Sequence, residues 1–466
     1  MRQTWEAEAM SEDPQRRPMF TFDPAMTELI FDYCRARLEE YPVVLDFGGV
    51  DPQLEEALDG LLTREGREPS EILDRFTNQI AKAVISVDSP RFLSFIPAAP
   101  TKAALLFDMI VSASSLNGTS WLEAAGAIAA ENQVLHFLSN AAGLPQSAGG
   151  CFVSGGSIGN LSALVVARDR ARRNSPELGS QRLRFAVSEE AHSSIASALH
   201  VIDVDAFIVP TDDHRMTLAT LQAALEADEH PETIVAVVAT GGTTNAGIVD
   251  DLEGIGSFAR ERGLWFHVDA AYGGAGMLST KRGELFQGLR HVDSFIVDPH
   301  KWLFAPFDCA ALLYRNPEEA AKTHTQHASY LDIIHSDTGE WNPTDYAIHL
   351  TRRARGLAIW FSLCVYGIDA YVEAIDQAII IAEDAAAAIT ATAHTELVRE
   401  PGLSVVLFRR IGWSDEDYAT WSTDLLKDQV AFVTPTKWEG ETVARFAFLH
   451  PETSPEMVSE ILATMA

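Results

Sequence analysis

The segments HVDAAYGG (His267 to Gly274) and DPHKW (Asp298 to Trp302) decide how this chain folds. Each follows a short apolar run, LWF before His267 and FIV before Asp298. An apolar run that short, bounded by small and polar residues, reads as a buried strand, so both segments begin where a strand ends. Similar units surround them. GCFVSGGS, RFAVSEEAH, AFIVPTDD and TIVAVVATGGTT each pass from an apolar stretch into a polar loop, and CAALLYR (Cys309 to Arg315) reads as one further strand. Helical stretches such as LATLQAALEAD and GIGSFARERG separate several of them. This alternation predicts parallel strands joined by crossovers, with functional groups at the carboxyl ends of the strands.

From Asp23 to about Ile85, apolar residues recur at spacings of three and four, which predicts helices. The stretch PRFLSFIPAAP (Pro90 to Pro100) ends them, because proline lacks a donor and restricts the residue before it. Downstream, TRRARGLAIWFSLCVYG and YVEAIDQAIIIAEDAAAAITATA read as helices, LSVVLFRRIG and VARFAFLH as strands, and PEMVSEILATM as a closing helix. The expected class is α/β. An amino-terminal helical segment (1–100) precedes a large domain with a mainly parallel sheet (101–357) and a small carboxyl-terminal α+β domain (358–466).

A chain of 466 residues with 47% hydrophobic content can bury a large core. Its net charge of -31 repels nucleic acid and anionic membranes, so neither is an expected partner. Cys34, Cys151, Cys309 and Cys364 are scattered without a CxxC spacing, which argues against a disulfide framework and against a metal site. Cys151 and Cys309 lie in apolar strand-like stretches and read as small core residues. The start, MRQTWEAEAMSEDPQRRPMF, lacks the apolar stretch of a signal peptide. No segment approaches the roughly 20 apolar residues needed to span a bilayer. A cytoplasmic protein is expected.

An aspartate (Asp269) and a lysine (Lys301) delivered from neighbouring strand ends suit one cofactor especially well. The amine can form an imine with the aldehyde of pyridoxal 5'-phosphate (PLP), while the carboxylate holds a proton on the pyridine nitrogen. Four more segments fit the same cofactor. SGGSIGN joins a strand to a helix, and its glycines would let backbone N–H groups approach a phosphate, although small residues also begin ordinary helices. His192 in SEEAHSS would lie flat against a planar ring and contact a substrate carboxylate; a solvated loop histidine is the alternative. In GGTTNAG, Thr243 or Thr244 would hydrogen-bond the cofactor or support Asp269, or simply form a polar turn. Tyr330 in HASYLD would protonate a carbanion once water is excluded, or else be an exposed structural residue. Strand-end aspartates often cap turns and most lysines are solvated. Compatible segments in the order such a site requires favour the PLP reading.

On these motifs the chain resembles the group II PLP-dependent amino-acid decarboxylases, especially the aromatic-L-amino-acid decarboxylase branch. HVDAAYGG and DPHKW carry the resemblance, with FDCA, TRRARGL and SYL supporting it. It implies the fold-type I, aspartate aminotransferase-like architecture and a homodimer with its sites at the subunit interface. Lys301 then matches the lysine that binds the cofactor and Asp269 the partner of the pyridine nitrogen. Ala271 and His192 match the residues on the two ring faces, and Gly156 and Ser157 the phosphate turn. Thr244 matches the threonine of the GTT segment, His300 the histidine beside the lysine, and Tyr330 the loop proton donor. Phe95, Ile96 and Phe307 become apolar wall candidates for the substrate pocket. Ile96 stands where the animal enzymes carry phenylalanine, and Ala98 where they carry a threonine near the catechol, which weakens the case for a catecholic substrate. Thr351 falls where plant relatives use glycine or serine to separate indolic from phenolic substrates. Asp298 replaces an asparagine of the animal enzymes.

The expected activity is a carboxy-lyase reaction, turning an aromatic or bulky hydrophobic L-amino acid into its amine and carbon dioxide, without hydride cofactor or metal. The alternatives are a decarboxylation-dependent aldehyde synthase, which Tyr330 argues against, an aminotransferase, and a non-catalytic PLP-binding protein.

Overall fold

The computed structural model describes residues 17, 19–46, 53–179, 181–329 and 340–466. They divide into two compact units, 1–86 and 87–466. In the first, the helical expectation is met by three short helices: α1 (Pro24–Glu39), α2 (Gln53–Leu58) and α3 (Pro69–Arg75). Asp23 starts α1 by accepting the Met26 N–H at 3.0 Å, with proline in the first turn. No residue of α1 or α3 is buried within this chain.

The second unit opens with α4 (Lys102–Ala113) and α5 (Trp121–Ala141). Alternation follows: β1 (Gly149–Val153), α6 (Gly156–Asn174), β2 (Arg184–Ser188), α7 (Ser193–Val201), β3 (Asp205–Val209), α8 (Leu218–Ala227), β4 (Ile234–Thr240), α9 (Leu252–Arg262) and β5 (Trp265–Asp269). Then come β6 (Ser294–Val297), the single-turn α10 (Pro299–Trp302), β7 (Ala310–Tyr314) and α11 (Pro317–His324). The chain continues through α12 (Leu357–Tyr366), α13 (Ile368–Ala391), β8 (Thr395–Leu397), β9 (Val405–Arg410), α14 (Asp415–Lys427), β10 (Thr436–Trp438), β11 (Glu441–Ala447) and α15 (Pro455–Ala463).

Seven strands form one sheet in the order β1-β7-β6-β5-β4-β2-β3. The pairs from β6 through β3 are parallel, as the crossover pattern predicts. β7 runs antiparallel to both its neighbours. Its link from β6 is only α10 and a turn, so the chain re-enters the sheet from the edge it has just left. Both sheet faces are covered, which explains why the strands read as continuous apolar runs. Phe266, Val268, Phe295 and Val297 face one core, into which Leu135 and Leu138 of α5 also pack. Trp265, Val238, Ile296 and Leu312 face the other, under Ala163, Leu164 and Ala167 of α6. Cys151 and Cys309 are buried as expected, and burial pushes the Cys151 thiol up to about 12.

A second sheet, β10-β11-β9-β8, is wholly antiparallel and packs on α13, α14 and α15. The segment at Phe92 joins this part of the unit, where Leu93 donates its N–H to Phe432 O at 2.9 Å. The stretch TRRARG, expected to be helical, is not; its helix begins at Leu357. Arg352 is instead buried, donating to Glu131 Oε1 at 2.7 Å and to Gly118 O at 2.7 Å, which ties the segment to α5 and the chain before it. Among the described residues no single helix is long and apolar enough to cross a membrane.

Candidate active site

Because β1, β2, β4, β5 and β6 point the same way, their carboxyl ends meet along one edge of the sheet. A cavity of about 280 Å³ opens there. All eight cofactor-binding residues expected from the sequence border it: Gly156, Ser157, His192, Thr244, Asp269, Ala271, His300 and Lys301. Thr244 lies on the cavity, whereas Thr243 is buried and accepts the Ile248 N–H at 3.1 Å, closing the turn. Tyr330 falls outside the described residues.

The end of β6 supplies the amine. Lys301 Nζ lies 3.1 Å from Asp298 Oδ2, and the same oxygen accepts the Gly156 N–H at 3.2 Å. His300 Nδ1 sits 2.7 Å from Cys309 O, and its ring is tilted against Phe307 with centroids 5.2 Å apart. Burial holds the His300 imidazole below its ordinary range, with the Asp298 charge pulling the other way.

The end of β5 supplies the carboxylate. Asp269 Oδ1 accepts the Ala271 N–H at 3.1 Å, and Oδ2 accepts from Asn160 Nδ2 at 2.9 Å. His192 caps the amino terminus of α7, its Nδ1 accepting the Ser194 N–H at 3.1 Å. The substrate-wall candidates divide. Phe307 borders the cavity and is 53% exposed. Ile96 and Ala98 are packed into the core, Phe95 is exposed and tilted on Phe432, and Thr351 is exposed; these four do not border the cavity.

These residues fit PLP. A Cβ on Gly156 would stand 2.9 Å from Asp298 Oδ2 and 3.2 Å from the Ala271 Cβ, so only glycine leaves the start of α6 open to an anion. The Lys301 amine and the Asp269 carboxylate border one cavity, the pair of groups that an aldehyde and a pyridine N–H would need. Asp298 Oδ1 is buried without a hydrogen-bond partner, and a negative charge there opposes a phosphate.

Sequence reasoning passed over Asn160, Ser194, Tyr272 and Asp308, which also border the cavity. Asn160 stood inside the SGGSIGN segment, one turn into the helix, where a phosphate reading directs attention to the glycines instead.

Comparison with known proteins agrees with this geometry. Residues 52–411 match the family model described as the pyridoxal-dependent decarboxylase conserved domain. An aromatic-L-amino-acid decarboxylase of Bacillus atrophaeus is 31% identical over 414 residues, covering 86% of this chain and 85% of that protein. An L-2,4-diaminobutyrate decarboxylase of Rhizobium meliloti (strain 1021) is 32% identical over 372 residues, 77% of this chain and 74% of that one. A crystal structure of Oryza sativa TDC with PLP and tryptamine superposes with a TM-score of 0.87 at 25% identity, covering 96% of this chain and 99% of that chain. With the family match extending over most of its length, the chain belongs to the pyridoxal-dependent decarboxylases and is a PLP-dependent amino-acid decarboxylase.

Proposed function

We propose that the substrate is an aromatic or bulky hydrophobic L-amino acid, released as its amine and carbon dioxide. The observation that carries this reading is the placing of Phe307 beside Lys301 and His300 on one cavity. An apolar ring at that point favours an apolar side chain over a charged one. The named activity of the Bacillus atrophaeus relative supports the same class.

When bound, PLP supplies a cationic ring that withdraws electrons from the substrate Cα. Lys301 would hold its aldehyde, Asp269 its ring N–H, Ala271 and His192 its two faces, and Gly156 and Ser157 its phosphate. Thr244 and His300 border the same space. His192 accepts at Nδ1, so its remaining N–H is at Nε2, suited to a substrate carboxylate. Lys301 Nζ, when free of the aldehyde, would hold a proton beside Asp298. Tyr330 would deliver a proton to Cα after carbon dioxide leaves, which favours amine over aldehyde as product.

The chain is further proposed to act as a homodimer with its site at the subunit interface. Leu106 and Ile110 on α4, and Val365 and Tyr366 on α12, leave large apolar surface exposed, which supports it. The four cysteines are all unpaired, which supports a reducing, cytoplasmic setting. Within the larger unit, 101–357 is proposed as the cofactor-binding domain and 358–466 as the small domain.

The test is a substrate panel of the twenty common amino acids and 2,4-diaminobutyrate, with products read by mass spectrometry. Amine from aromatic or bulky apolar substrates is expected. Turnover confined to diaminobutyrate overturns the substrate class, and absence of both amine and carbon dioxide overturns the activity.

A further inference from the structure

Behind Asp269 runs a line of buried polar side chains that the reaction described above does not use. Trp265 Nε1 lies 3.0 Å from Ser294 Oγ, and Ser294 Oγ lies 2.8 Å from His267 Nδ1. His267 Nε2 then lies 2.9 Å from Asn160 Oδ1, and Asn160 Nδ2 lies 2.9 Å from Asp269 Oδ2. His267 is 0% and Asn160 1% exposed.

Only one assignment of hydrogens satisfies this line. The indole N–H can only donate, so Ser294 Oγ accepts from it and has its own hydrogen for His267 Nδ1. His267 Nε2 therefore carries the ring hydrogen and donates to Asn160 Oδ1. The opposite direction would turn the Asn160 amide around and set its oxygen against Asp269 Oδ2 with no hydrogen between them. Burial supports the same assignment, holding the His267 imidazole neutral, with its pKa down at about 4. The second hydrogen on Asn160 Nδ2 faces Ser194 Oγ at 3.0 Å, and Ser194 Oγ lies 2.9 Å from His192 Nδ1. One amide thus holds both the carboxylate at the ring nitrogen and the imidazole at the ring face.

We infer that Asn160 is the positioning residue of this site, locking Asp269 and His192 in one geometry, and that His267 and Ser294 set the direction of its amide. The inference rests on Asp269 and His192 facing the cofactor.

The full-length apoenzyme of each variant is titrated with PLP, reading the dissociation constant and the absorbance of the bound cofactor. Asn160→Asp keeps the size but turns an acceptor toward Asp269; affinity is expected to fall about tenfold or more, with shifted absorbance. His267→Phe is expected to lose affinity in the same direction, whereas His267→Gln, which restores an N–H donor, stays within about twofold of wild type. Wild-type affinity and absorbance in Asn160→Asp, or equal losses in His267→Gln and His267→Phe, overturn the inference. Melting of the apoproteins identifies any variant that does not fold. Should Asn160→Asp be one, Ser294→Ala, which deletes a single oxygen, serves instead: a smaller loss supports the relay and wild-type behaviour overturns it. Asp269→Asn is the control. If it too binds and absorbs as wild type, the reading of the site itself fails. If it alone is impaired, only the role of Asn160 fails.

Discussion

Lys301 Nζ stands 3.1 Å from Asp298 Oδ2, one helical turn away, and that carboxylate is buried. The same oxygen takes the Gly156 N–H, so a negative charge occupies the turn proposed for a phosphate. Asp298→Asn would keep the N–H contact through its amide oxygen and remove the charge. Like charges in a partly buried site repel by about 1 kcal/mol or more. The PLP dissociation constant is therefore expected to fall about fivefold or more, measured by fluorescence titration of the apoenzyme. A weaker-binding variant would assign Asp298 a holding role.

Gly156→Ala tests the opening at the start of α6. Its new Cβ would meet Asp298 Oδ2 at 2.9 Å and Ala271 at 3.2 Å, both held in buried positions. Overpacking of this kind costs about 1–3 kcal/mol. A lower melting temperature and weaker PLP binding are expected together, by calorimetry and equilibrium dialysis. Wild-type cofactor affinity would remove Gly156 from the phosphate turn.

Tyr330→Phe separates proton delivery from cofactor attachment. Amine formation is expected to fall about a hundredfold or more, while borohydride still fixes the label on the peptide containing Lys301. With dissolved oxygen as the oxidant, aldehyde, ammonia and peroxide should take a larger share of the products, the aldehyde read by mass spectrometry. Unchanged amine turnover would release Tyr330 from its assigned role.

Histidines held neutral by burial make stability pH-dependent. His267, with its pKa at about 4 against an ordinary 6.5, contributes stability that is present above pH 6.5 and is lost as pH falls toward 4. The loss is up to about 1.4 kcal/mol per pH unit across that window. His349, also at about 4, acts in the same sense. Asp250, which burial pushes up to about 7, acts oppositely, since its contribution is lost as pH rises through 7. Comparing wild type with His267→Gln cancels the other two. Urea unfolding of the apoproteins should show the wild type losing more stability between pH 6.5 and 4.5 than the variant. Parallel curves would refute the assignment.

Much of the site was legible because its groups sit where local pattern is strongest. β5 and β6 are buried on both faces, so LWF and FIV announce them, and Asp269 and Lys301 follow at their ends. The direction of β7 was not legible, since an apolar run carries no information about which edge the chain enters. TRRARG looked helical by composition, but Arg352 is committed to a buried partner, Glu131, from distant α5. Asn160 and His267 escaped for a related reason. Their pairing depends on α6 crossing over β5, and no spacing along the chain encodes that. Ile96 and Ala98 show the reverse case, a resemblance pointing to a pocket while the packing in this chain commits both side chains to the core.

Along β5, Trp265, His267 and Asp269 alternate with Phe266 and Val268, which belong to the opposite core. A strand repeats every two residues, so one inserted or deleted position would exchange the polar column for the greasy one and point Asp269 at the wrong layer. Descendants of this gene can therefore revise the candidate site by swapping side chains, while length changes within this strand are closed to them.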